Sequence, residues 1–238
     1  IENISRISKY LILHLSSKKI LLIHLGMSGT IHIVRNNNNR NTNASFYNSS
    51  NLPEKHNHIE ITLNNNLKLI YNDPRRFGYF KILSNKFIHQ PPLKNLGPDP
   101  FSSSFNFKYI DNYIKNKKKN IKNLLMDQSF VGGIGNIYAN EILFHCQLNP
   151  HKKISELNKK NIFQILRNTR KVLRKAIFFG GSTIKDFRRT DGKSGNFQQT
   201  FKVYGRQNAK CSSYKCNGVI KKTIITNRST FFCPKCQN

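Results

Sequence analysis

Four of the chain's five cysteines fall in one short carboxy-terminal window, spelling Cys211-x4-Cys216, sixteen further residues, then Cys233-x2-Cys236. Two tight thiol pairs joined by a hairpin-length spacer can converge on one ion, and Zn²⁺ accepts four tetrahedral thiolates at about 2.3 Å. Two disulfides or four free thiols are the alternatives, but an extracellular disulfide framework would spread its cysteines along the chain. Zinc is therefore the expected cofactor, and a structural one, because four thiolates leave no open position for catalysis. So few apolar residues surround the cluster that the metal would supply much of the folding energy of this tail. Cys146 stands apart, among Phe144, His145 and Leu148, and reads as a small buried hydrophobe on a helix.

Charge narrows the partner. Forty Lys and Arg face eleven Asp and Glu, a formal net charge of +29. Such a surplus excludes an ordinary neutral metabolic enzyme as the default and points to a polyanion, most often nucleic acid. An AT-rich genome would also enrich Lys, Asn and Ile, so charge alone does not settle function. No stretch approaches the roughly 18 apolar residues that span a bilayer, and no membrane partner is expected.

The 238 residues allow two or three small domains. Residues 10–15, 20–25, 30–34, 59–63, 67–71 and 78–83 are short β-branched or leucine-rich runs separated by turn signals, and they read as strands. The polar, Asn-rich segment 35–50 cannot bury enough to order itself and reads as a mobile surface loop without an assigned function. Pro91, Pro92, Pro98 and Pro100 punctuate a boundary, after which the period becomes helical over 107–115, 121–127, 136–146 and 158–179. A short helix is expected at 183–189, and the cysteine tail reads as a two-stranded ribbon.

These segments also carry a family resemblance. Residues 228–237, Arg-Ser-Thr-Phe-Phe-Cys-Pro-Lys-Cys-Gln, resemble the zinc finger signature of formamidopyrimidine-DNA glycosylases. His24-Leu25-Gly26-Met27-Ser28-Gly29, Lys55-His56-Asn57-His58, Asp73-Pro74-Arg75-Arg76-Phe77-Gly78 and Gly133-Ile134-Gly135-Asn136-Ile137-Tyr138-Ala139 resemble further blocks, in the family's order. Asp191-Gly192-Lys193 and Val203-Tyr204-Gly205-Arg206 extend the likeness over nearly the whole chain. The sister endonuclease VIII family shares the architecture but is not expected to carry the Met27, Arg75 and Phe77 set.

The resemblance implies an α+β protein in three parts. These are an amino-terminal β-sandwich (1–100, incomplete), a helix–two-turn–helix domain (101–204, with a base-capping loop near 182–200) and a zinc finger β-hairpin (205–238). It further implies a monomer, cytoplasmic and nucleoid-associated in a bacterium. The implied partner is double-stranded DNA containing oxidised purines or abasic sites. The implied activity is base excision repair: removal of 8-oxoguanine and formamidopyrimidines, then AP lyase β,δ-elimination. A base inside a duplex is out of reach, so the lesion must be flipped out and the gap filled. The resemblance assigns that wedge to Met27, Arg75 and Phe77, with the fixed guanidinium fork of Arg75 suited to the orphaned cytosine. It places His24, His56, Arg76, Lys117 and Asn136 at the DNA backbone, and Lys9 and Arg228 in the elimination steps. Asn136 opens a helix after a Gly-rich turn, where N–H groups would face a phosphate.

Family members begin with a Pro-Glu pair whose amine attacks the sugar, and this chain starts at Ile1, several dozen residues later in the family's order. Residues 1–238 alone are accordingly expected not to form the Schiff base efficiently, every lysine needing a large downward pKa shift to compete with an amino-terminal amine. Two other readings compete: a non-catalytic lesion- or DNA-binding relic of the same family, and a zinc-ribbon protein of the ribosome or transcription machinery. The wedge set argues against the latter.

Overall fold

The structure, a computed structural model, describes residues 1–35, 54–63, 67–182 and 196–238. Residues 36–50 of the Asn-rich segment, the short helix expected at 183–189 and most of the base-capping loop lie outside the described residues, while Arg35, read as the start of that loop, ends a strand. The chain divides into two compact units, Ile1–Phe87 with Ala176–Gln199, and Ile88–Lys175 with Thr200–Asn238.

The first unit contains two antiparallel sheets. One has the order β1 (Asn3–Ile7), β2 (Tyr10–His14), β3 (Ile20–His24), β7 (Tyr79–Leu83); the other has β4 (Thr30–Arg35), β6 (Leu67–Asn72), β5 (Asn57–Thr62). Leu13 and Ile23 of the first sheet and Ile31, Ile61 and Tyr71 of the second line one apolar space, the core of this unit. Strand β1 precedes the first strand bounded from the apolar runs, at residue 10. Its Asn, Ser and Arg give no apolar run, and it pairs with β2 from Asn3 opposite His14 to Ile7 opposite Tyr10.

In the second unit, α1 (Phe107–Ile114) and α2 (Ile121–Met126) are each capped by an asparagine: Asn106 Oδ1 accepts from Tyr109 N at 2.9 Å, and Asn120 Oδ1 from Asn123 N at 2.8 Å. Such caps satisfy N–H groups that the first turn leaves without partners. Helix α3 (Asn136–Cys146) is buried over most of its circumference and forms the centre of the unit. Helix α4 (Lys159–Phe178), which belongs to this unit up to Lys175, is amphipathic, burying Ile162, Ile165 and Val172 there. Strands β8 (Lys221–Ile225) and β9 (Arg228–Phe232) form the hairpin of the cysteine ribbon. The ribbon has a small apolar base of its own, in which Val203, Ile220 and Phe231 pack with Phe144 of α3. Buried Glu141 of α3 accepts the backbone N–H of Lys202, Val203 and Tyr204 at 2.9–3.0 Å, which anchors the approach to the ribbon. Cys146 is buried, as its context suggests, and burial pushes its thiol up to about 12, where it is inert.

Candidate nucleic-acid interface

In the first unit the exposed site residues ride on two loops joined by one buried carboxylate. Asp73 follows β6 and has no exposed surface. Its Oδ1 accepts from Ser28 Oγ at 2.5 Å and from Arg75 N at 3.2 Å, and its Oδ2 from Tyr71 Oη at 2.8 Å and Gly78 N at 2.9 Å. Burial alone would raise its pKa. The donors, led by Ser28 and Gly78, outweigh burial and hold the carboxyl below the usual range, so it is an anion. The same hydrogen bond from Tyr71, added to burial, drives the tyrosine pKa up. Ser28 belongs to the β3–β4 turn and Gly78 ends the β6–β7 loop, so this one side chain sets both loops. Packing leaves no alternative at Gly78, where an added Cβ would stand 1.7 Å from Tyr71 Oη.

Over this anchor Met27, Arg75 and Phe77 reach outward. Met27 and Phe77 are exposed, at 42% and 57%, unusual for side chains of their apolarity. The Arg75 guanidinium lies 5.2 Å from the centre of the Phe77 ring, a cation–π distance. Arg76 takes a left-handed φ of 56°, uncommon for a residue with a side chain, and its N–H donates to Asp73 O at 3.2 Å. His56 joins the same loop through its carbonyl, which accepts from Asp73 N at 3.0 Å.

His24 sits one sheet position from the turn. It pairs across the sheet with Tyr10 on β2 and Tyr79 on β7, and its ring stacks on Tyr79 at 5.6 Å. Its Nδ1 accepts from Gly26 N at 3.1 Å, so the neutral ring carries its proton on Nε2 as an outward donor. Burial, then the charge of Lys9, lowers its pKa and favours that neutral form. Lys9 itself stands in the β1–β2 turn beside Ser8, whose φ is 54°.

The second unit assembles another group at the start of α3. Asn136 Nδ2 donates to Ser229 O at 3.0 Å, which places Asn136 beside Arg228, the exposed first residue of β9. Lys122 of α2 is buried and reaches the same carbonyl at 3.3 Å and Thr230 Oγ1 at 2.5 Å. Its burial, and then the charge of Arg228, brings its pKa down to about 8. Asn140 completes the lattice, its Oδ1 accepting from Phe231 N at 2.7 Å. Lys117 follows α1, its ammonium 3.1 Å from the centre of the Tyr113 ring.

The family resemblance singles out Met27, Arg75, Phe77, Asn136 and Arg228 one by one; it does not single out what supports them, Asp73, Tyr71, Lys122 and Asn140, nor that Asn136 and Arg228 lie side by side. A lysine set among Ile121, Leu124 and Leu125, all buried on α2, is the available signal, because the helix face that buries them carries the lysine inward.

At the tip of the ribbon the four thiols converge. The Sγ atoms of Cys211, Cys216, Cys233 and Cys236 lie within 4.8 Å of one another, with Cys211–Cys236 and Cys216–Cys233 at 3.7 Å. That is far beyond the 2.05 Å of a disulfide, and it matches the edge of a tetrahedron about 2.3 Å from centre to corner. Gly218 permits this approach: a Cβ there would meet Cys233 Sγ at 2.6 Å. The arrangement fits a four-coordinate metal.

Two sheets around one apolar core, a capped helical unit and a four-thiol ribbon define an α+β protein with a cysteine-ribbon module. Its residues 1–80 match the family model of the formamidopyrimidine-DNA glycosylase N-terminal domain, and 96–188 that of the formamidopyrimidine-DNA glycosylase H2TH domain. A formamidopyrimidine-DNA glycosylase of Haemophilus influenzae is 42% identical over 237 residues, covering 100% of this chain and 81% of the relative. One of Roseobacter denitrificans is 36% identical over 238 residues, covering 100% and 82%. Among solved structures, the Lactococcus lactis enzyme in complex with DNA containing an abasic site superposes with a TM-score of 0.86 at 31% identity, covering 100% of this chain and 82% of that one. The Thermus thermophilus protein gives 0.84 at 32%, covering 98% and 81%. The chain belongs to the formamidopyrimidine-DNA glycosylase family.

Proposed function

We propose that this chain carries the lesion-recognition and strand-holding machinery of a base excision repair glycosylase with AP lyase activity, acting on duplex DNA that contains oxidised purines or abasic sites. The observation that carries the reading is the exposed Met27, Arg75 and Phe77 set held over buried Asp73. A flexible thioether, a guanidinium fork and an aromatic ring are the three chemistries needed to fill a gap, pair with an orphaned base and part a stack. His24 Nε2–H, His56, Arg76, Lys117 and Asn136 are proposed phosphate contacts. Lys9 is the proposed proton donor of β-elimination. Arg228 is the proposed holder of the 3′ phosphate leaving group in δ-elimination, its guanidinium fork matching phosphate oxygens. The proposed parts are 1–100, 101–204 and 205–238, the segment near 182–200 capping the flipped base.

Cys211, Cys216, Cys233 and Cys236 are proposed to hold one Zn²⁺, which when bound supplies rigidity to the ribbon rather than a reacting group. The chain's own residues do the rest: Lys122 and Asn136 grip Ser229, and that grip sets where Arg228 begins.

Binding tests the proposal directly. A duplex with a stable abasic-site analogue should bind at least ~10-fold more tightly than the same undamaged duplex, with log affinity falling against log salt at a slope of about −4 to −6. Equal affinity for both duplexes would overturn it.

A further inference from the structure

Helix α4 presents a cationic face that the proposed function does not use. Lys160, Arg167 and Lys171, with Arg174 and Lys175, are exposed and fall within an arc of about 100° at 100° per residue, opposite the buried Ile162, Ile165, Thr169, Val172 and Ala176. The stripe runs some 22 Å at 1.5 Å per residue, a length of duplex axis that carries about 13 phosphate charges. The helix has no carboxylate, and no ion pair of Lys160, Arg167 or Lys171 occurs among the described residues. Exposed Phe163, stacked on Phe107 at 4.6 Å, adds an aromatic edge to the basic row.

Next to this face the positive field is felt inside the fold. Burial, and then the charges of Lys171, Lys175 and Lys202, brings His145 at the end of α3 down to about 4. His145 and Asn136 are nine residues apart on α3, roughly 14 Å along its axis, so the stripe lies near the opposite end of that helix from the Asn136–Arg228 group.

We infer that the exposed face of α4 is a second, sequence-independent contact for duplex DNA, able to hold a neighbouring DNA segment while the lesion site is engaged. The occupant follows from charge complementarity: an acid-free row of this length fits a phosphate backbone. The inference rests on the proposed DNA function, and the two are tested separately.

Protein is loaded on an immobilised duplex with an abasic-site analogue, and a labelled undamaged duplex is then passed over it. The first step reads the proposed function and the second reads the inference. Wild type should capture the second duplex in a salt-sensitive way. The triple variant K160Q/R167Q/K171Q should capture it at least ~10-fold less well, with unchanged affinity for the first duplex and unchanged thermal midpoint. The double variant K160Q/R167Q, which spares the surroundings of His145, should lose an intermediate share. No capture by wild type, or equal capture by the triple variant, would overturn the inference.

Discussion

Two regions present charged side chains to the outside and are built on opposite principles. The Met27–Arg75–Phe77 loops are wired from within: one buried anion, Asp73, gathers donors from Ser28, Tyr71, Arg75 and Gly78, over an apolar space between two sheets. The ribbon that carries Arg228 has only a small apolar base and four thiols in tetrahedral reach of a metal. A buried carboxylate needs a finished core to be worth its desolvation cost, whereas metal coordination can order a short segment with little core at all. The loops should therefore fail by losing polar partners, and the ribbon by losing its ion.

The ribbon side should show the largest effect. Chelation, or Cys233→Ser, should remove stoichiometric zinc and weaken binding to an abasic-analogue duplex by about two orders of magnitude, as read by elemental analysis and titration. Freshly purified, reduced protein that holds no zinc yet binds DNA normally would break the comparison on this side.

On the loop side, Asp73→Asn keeps the shape but replaces an oxygen acceptor with a donor facing donors. It should cost about 3–4 kcal/mol of stability in denaturant unfolding while leaving zinc content unchanged. Ribbon and loops fail independently if the account is right; loss of zinc in this variant would show that they do not.

A smaller effect comes from the second sheet. His32 is fully buried on β4 beside Thr30 Oγ1, and burial brings its pKa down to about 4. A pKa lowered by folding means that the unfolded chain binds the extra proton first. The stability it contributes is therefore complete above about pH 6.5 and lost as pH falls toward 4, about 3 kcal/mol in all. Unfolding free energies measured across that window should slope downward with acid, and His32→Gln should flatten the slope.

What the sequence made legible and what it hid follow the same division. The cysteine ribbon is local in sequence, and spacing alone announced it. Helix α4 carries a clean 3.6 period, and Asn136 was placed at a helix start by the glycines before it. Asp73 was visible only as part of an Asp-Pro-Arg-Arg turn, the composition of an exposed loop, because its burial depends on Ser28, forty-five positions away. Lys122 likewise meets Thr230 across 108 positions. Long-range polar partners leave no periodic trace, so the outward-facing residues were readable and the lattice that aims them was not.

The central claim is that Asp73 aims Arg75 at an orphaned base, and opposite-base preference measures it most directly. Affinity for an abasic-analogue duplex is compared with cytosine and with adenine across from the gap, for wild type, Arg75→Ala and Asp73→Asn. Wild type should show a cytosine preference of about tenfold, abolished by Arg75→Ala and much reduced by Asp73→Asn. A preference that survives Arg75→Ala intact would contradict it.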